Sequence, residues 1–165
     1  MIIVKSILAL ALAALVAACA TPQGMSVGAG AIGNPLPKYR QAMEVRSVTG
    51  GAMMNALTLP GVSNEPLKEA LEASLRANGY LASGGAKYFI DAEIKNLDQP
   101  IIGLDLDVVA VVTYKVSGAG TSASYPIRGQ GKAGFADSPI ATDRLRIANE
   151  RAMQDNIGQF LRALR

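Results

Sequence analysis

The 165-residue chain contains no histidine, no tryptophan and a single cysteine. Each absence removes a class of chemistry. Without histidine there is no Ser-His-Asp or Cys-His relay, and the usual His/Cys set of a zinc site cannot be assembled. One cysteine makes no disulfide within the chain, so any folded domain must be held by its core. Five tyrosines and three phenylalanines are the whole aromatic supply, thin for an aromatic platform that would stack sugars or bases. The 16 basic and 13 acidic residues leave a formal charge of only +3, and no basic block of the kind that tracks a phosphate backbone is present. Nucleic acid is therefore not an expected partner, and no cofactor is called for.

What is present begins at the N-terminus. Lys5 precedes an uncharged Leu/Ala/Val/Ile run from Ile7 to Val16, and Ala17-Ala18 are the small residues that signal peptidases require. The run is short of the about 20 residues of a membrane-spanning helix, so residues 1–18 read as a signal peptide. Val16-Ala17-Ala18-Cys19 resembles the lipobox of bacterial lipoproteins. The resemblance implies cleavage after Ala18, a diacylglyceryl group on the Cys19 sulfur and acylation of the new N-terminus. Two or three acyl chains at about 0.8 kcal/mol per buried CH₂ would make such anchoring effectively permanent. Ala20 stands where an Asp commonly marks inner-membrane retention of lipoproteins, and the resemblance thus points to the outer membrane, facing the periplasm.

Loss of residues 1–18 removes one charge, Lys5, and leaves a 147-residue chain with a net charge near +2, an ordinary size for one core. Residues 19–38, rich in Gly and Pro and uncharged until Lys38, read as a lipidated flexible tether. Gly28-Ala29-Gly30 within it has half of a dinucleotide fingerprint but no preceding strand. A single domain is expected over 39–165.

In that domain, Met43, Val45 and Ser47 alternate with Glu44, Arg46 and Val48, as in a half-buried strand. The loop from Ala52 to Val62 carries Met53, Met54, Leu57 and Leu59, either tucked onto the core or exposed to a partner. Ser63 or Asn64 caps a helix in which Leu67, Leu71, Ser74, Leu75 and Asn78 form a stripe, with Gly79 as its stop. Three strands follow. Tyr88–Leu97 has Tyr88, Ile90, Ala92 and Ile94 on one face against Asp91, Glu93 and Lys95. Leu106–Val116 is apolar on both faces until Thr113 and Lys115, as a central strand would be. Ser124–Ala133 sets Tyr125, Ile127 and Ala133 against Arg128, Gln130 and Lys132, with Gly129 and Gly131 on the inner face to admit a closely packed helix. Ser117 to Ser122 is a hairpin connection. The last helix, Ala141 to Arg165, carries Leu145, Ala148, Ala152, Met153, Ile157, Phe160, Leu161 and Leu164 on one face. Arg144, Arg151, Asp155 and Arg162 line the other, read as a solvated row with an Arg151–Asp155 pair.

The element order β-α-β-β-β-α predicts an α+β two-layer sandwich: a four-stranded, mainly antiparallel sheet with both helices on one face. With the lipobox, the Gly/Pro spacer, the Leu-rich helix ending in Gly and the long C-terminal helix, this plan resembles the small bacterial envelope lipoproteins grouped around YajG. It is more loosely similar to LptE and to the auxiliary lipoproteins of lipid-exporting ABC systems. The resemblance implies a noncatalytic accessory that docks on envelope proteins or handles a lipid, and it transfers no site residue beyond Cys19. Two features compete for function. Asp105 and Asp107, with Asp91, Glu93 or Asp98, contain the ingredients of a cation site or of the carboxylate pair of an envelope hydrolase, which needs a separation of about 5 to 9.5 Å. Val109 and Val111, between Asp91/Glu93/Lys95 and Arg128/Gln130/Lys132, form the alternative, a docking face. A pocket converging on the aspartates would favour the enzyme, and an open face would favour docking.

Overall fold

A computed structural model describes residues 24–51, 61–100 and 103–165. The sheet has the order β1 (Met43–Thr49), β2 (Tyr88–Asp98), β3 (Leu106–Gly118), β4 (Thr121–Ala133), with helices α1 (Asn64–Ala77) and α2 (Ala141–Ala163). The predicted α+β order holds. The sheet is mixed: β2-β3-β4 is an antiparallel meander, while β1 runs parallel to β2 because a helix carries the chain back between them.

Inner-face residues of β3, Leu106, Val108, Ala110, Val112, Tyr114 and Val116, are all buried, as are the eight predicted apolar residues of α2 and the leucines of α1. Gly129 and Gly131 admit α2 as their positions imply: a Cβ on Gly131 would overlap the Ala148 carbonyl oxygen, and one on Gly129 would sit 2.6 Å from the Asn156 nitrogen. Phe160 stacks on Tyr114 with centroids 4.0 Å apart and rings 6° from parallel. Deeper in the same contact the buried Asn156 donates to the Ala110 and Ile127 carbonyls (2.9 and 3.0 Å) and accepts from the Tyr114 hydroxyl at 2.9 Å. Burial pushes the Tyr114 phenol far above its ordinary pKa, so this hydroxyl remains a donor.

Two bulges shift the pattern read from the sequence. β1 slips between Val45 and Ser47, which turns Ser47 outward, where its hydroxyl bonds Asp91 at 2.7 Å, and packs Val48 against the core. Ser47 thus does not share the face of Met43 and Val45. β2 slips likewise between Ile94 and Asn96, bringing Leu97 to the core side. The β3–β4 connection is tighter than expected, a turn on Ala119 and Gly120 with φ of 46° and 75°, the conformation of a two-residue hairpin that matches strand twist.

Residues 24–38, read as free spacer, are docked. Val27 and Ile32 are buried. The Val27 N–H donates to the Ser74 hydroxyl at 2.8 Å, Asn78 donates to the Val27 and Gly28 carbonyls, Gln154 to Ser26 O at 2.7 Å and Arg165 to Ile32 O at 2.7 Å. The segment therefore runs along the two helices in their own direction and fills the groove between them. Its backbone groups are satisfied by side chains instead of by a periodic element, which is why no apolar period marks it.

Candidate functional site

The fold has two ends. At the hairpin end, β3 turns into β4. At the loop end, β1, β2 and β4 finish, β3 begins and both helices start. The sequence-predicted carboxylates lie on the outer sheet face, and the register divides them. Asp91 is opposite Lys115, and Asp107 is opposite Lys132; Lys115 and Asp107 are eight residues apart on β3, about 27 Å at ~3.4 Å per residue. Asp91 and Asp107 therefore belong to opposite ends of one face, beyond the separation any pair of catalytic carboxylates uses.

Four of the five carboxylates face a cation, and the fifth, Asp98, lies opposite Val109 at the Asp107 end. Arg46 binds Asp91 with both nitrogens of one guanidinium edge, and this pairing, aided by Ser47, holds the Asp91 carboxyl below the usual range. Lys95 lies 2.6 Å from Glu93 and lowers it in the same way. Lys132 bridges Asp105 and Asp107 at 3.6 and 3.8 Å, with those two aspartates 59% and 70% exposed. Asp91 and Glu93, held ionised against their cations, are poor general acids near neutrality, because their proton affinity has been reduced. A shallow concavity of about 260 Å³ lined by Ser47, Thr49, Asp91, Glu93, Thr113 and Lys115 reaches Asp91 and Glu93 on this face. Among the described residues no group of three or more His, Cys, Asp or Glu is disposed to hold a metal. Val109 and Val111 have the expected Gln130 and Arg128 beside them on β4, but on β2 they face Asp98 and Asn96 instead of Asp91, Glu93 and Lys95, which pair further along β3 or lie at the bulge. They are half-buried under these neighbours.

The arginine row differs from its prediction. Arg144 is buried, donating to the Ser138 and Pro139 carbonyls at 3.0 Å each. Arg151 pairs with Asp137 at 2.7 Å, instead of with Asp155, and donates to Lys132 O. Asp155 accepts the Gln130 N–H at 3.0 Å, and Gln159 donates to Arg128 O at 2.9 Å. The reason is the free edge of β4, whose outward backbone groups need partners. Pro126 occupies the same outward register with no N–H to offer. Side chains of α2 and a proline together blunt an edge that would otherwise pair with another strand. Sequence spacing alone places Arg151 beside Asp155 and carries no sign of this competing demand.

Cys19, the cleavage position Ala18 and the Met53–Leu59 loop lie outside the described residues. Among the described residues no helix is long and apolar enough to cross a membrane.

No family model matches the chain, and no curated protein matches it either. Its fold is shared with solved structures. A proposed lipoprotein from Caulobacter crescentus CB15 superposes with a TM-score of 0.50 at 14% identity, over 75% of this chain and 88% of that one. An uncharacterized protein gives 0.51 at 13% identity over 76% and 94%. A protein of Xanthomonas campestris from the family DUF330 gives 0.48 at 9% identity over 78% and 87%. What these likenesses define is an α+β sandwich, a statement of fold.

Proposed function

We propose that this chain is a lipid-anchored accessory protein of the bacterial envelope, noncatalytic and of the YajG-like type, acylated on Cys19 after cleavage at Ala18. It is held on the periplasmic side of the outer membrane. The observation that carries the noncatalytic part is the pairing of Asp91 with Arg46 at one end of an open face and of Asp105 and Asp107 with Lys132 at the other. The lipobox residues and Ala20 support the anchor and its address. Work by such a protein belongs to surfaces, and the outer sheet face, with Val109 and Val111 between Asp98 and Asn96 on one side and Gln130 and Arg128 on the other, is a face for an envelope partner or a lipid.

The anchor is tested by Cys19→Ser. The variant should lose labelling by a radioactive or alkyne fatty acid, accumulate as uncleaved precursor and leave the acylated pool. A Cys19→Ser protein that still takes up label would refute the assignment.

A further inference from the structure

Only four large apolar side chains stand exposed among the described residues: Leu36, Leu104, Phe135 and Ile140. Scattered single cases are normal on a protein surface, but three of these four share the loop end. Leu104 precedes β3 and Phe135 follows β4, just outside the Leu106–Ala133 pair. A Cβ on Gly134 would lie 2.6 Å from an Asp105 carboxylate oxygen, so the two chain segments touch. Arg144 holds the remaining pair together: its guanidinium lies 6.0 Å from the Phe135 ring, and its backbone N–H bonds the Ile140 carbonyl. Exposures of 74%, 62% and 57% for Leu104, Phe135 and Ile140 put all three side chains outside the core.

The docked N-terminal segment says what covers them. Gly24 packs on Glu150, Ser26 bonds Gln154 and Ile32 bonds Arg165, so the chain descends along α2, and its upstream side points back toward the start of that helix at the loop end. Four residues, 20–23, separate Gly24 from Cys19. Five Cα–Cα steps reach at most about 18 Å. Glu150 is nine residues along α2 from Ala141, about 14 Å, so this reach spans to the loop end but falls short of the C-terminal end of α2 at Ala163, about 20 Å away in the other direction.

We propose that the loop end is the membrane-facing end of the protein, with Leu104, Phe135 and Ile140 seated in the lipid interface beside the acyl chains of Cys19. The occupant is a lipid surface. It is recognised by apolar contact, the cations Lys132 and Arg151 being engaged by Asp105, Asp107 and Asp137. A short anchor alone leaves a domain free to tumble. A second, apolar contact fixes its orientation, with the sheet strands standing off the bilayer and the hairpin end outermost.

This inference rests on acylation of Cys19, and the test separates the two. The full acylated chain is purified from membranes carrying Phe135→Cys, Ile140→Cys or, at the hairpin end, Ser122→Cys. It is labelled with an environment-sensitive fluorophore and reconstituted into phosphatidylcholine vesicles containing brominated lipid. Labels at 135 and 140 should be quenched several-fold more than the label at 122, to the same degree at low and high salt. Equal quenching at all three sites, or quenching confined to 122, overturns the orientation while leaving the anchor intact. A mass spectrum showing unmodified Cys19 overturns the proposed function and this inference with it.

Discussion

On the inner side of β3 and β4, Gly129 and Gly131 bring the backbone of α2 into contact with the sheet, and Asn156, Tyr114 and Phe160 interlock there, fully buried. On the outer side of the same two strands, Arg128, Gln130 and Lys132 stand in solvent, and half-buried Val109 and Val111 lie between them and Asn96 and Asp98 of β2. One strand pair thus carries a face on which shape decides everything and a face on which charge pairing is nearly all there is. Period-two alternation creates the two sides, and what lies against each makes them unequal. The inner side can lose little without a void. Changes on the outer side are met by water.

The comparison is broken most directly at Phe160. Phe160→Ala removes a fully buried ring between Tyr114 and Tyr125, and a change of this type costs about 3–5 kcal/mol, a large share of a total of about 5–15. Val111→Ala on the outer face removes part of one cross-strand pair, worth about 0.2–1 kcal/mol. Chemical denaturation of both variants should therefore differ by several-fold in lost stability. Comparable, small losses would mean that α2 is not docked on the sheet.

Much of this arrangement was legible in the sequence, and the reasons differ by element. The stripes Leu67-Leu71-Leu75 and Leu145 to Leu164 were readable because a helix with one buried face must repeat at three and four residues. Gly129 and Gly131 were readable as a helix contact because small residues on an inner strand face have few other uses. The loop-end apolar cluster was not readable, since Leu104, Phe135 and Ile140 are far apart in sequence and belong to no period. Nor was the groove segment of residues 24–38. It is held by Ser74, Asn78, Gln154 and Arg165 acting on its backbone, and backbone acceptors leave no trace in composition. The bulges hid for a related reason: a one-residue slip inverts the faces beyond it, as at Ser47 and Val48. The cation partners of Asp91, Asp105 and Asp107 were not legible either, because they depend on strand register.

A smaller effect sharpens the polar part of the contrast. Asn156→Ala leaves the buried Tyr114 hydroxyl without its acceptor and removes a donor from two carbonyls, at a cost of about 1–3 kcal/mol. Gln130→Ala on the outer face should stay within about 0.5 kcal/mol. A thermal-shift series would show it: Asn156→Ala melts well below wild type and Gln130→Ala beside it. Superimposable melts would mean that the Asn156 network contributes nothing to the inner face.

The smallest expected effect belongs to the outer face alone and is visible only against pH. Arg46 and Ser47 hold the Asp91 carboxyl below its ordinary pKa, so the folded protein binds a proton there less readily than the unfolded chain does. Stability from this group is therefore fully present above the ordinary carboxylate range. It is lost as pH falls through that range toward the lowered folded value. Asp91→Asn removes the titrating group and keeps its size. At neutral pH the variant should melt slightly below wild type, by little because Arg46 is solvent-exposed and water screens the pair. On acidification the two curves should converge, since wild type loses the interaction the variant never had. A gap that stays constant down to strongly acid pH would place the effect of Asn in packing and leave the Arg46–Asp91 pairing without a part in stability.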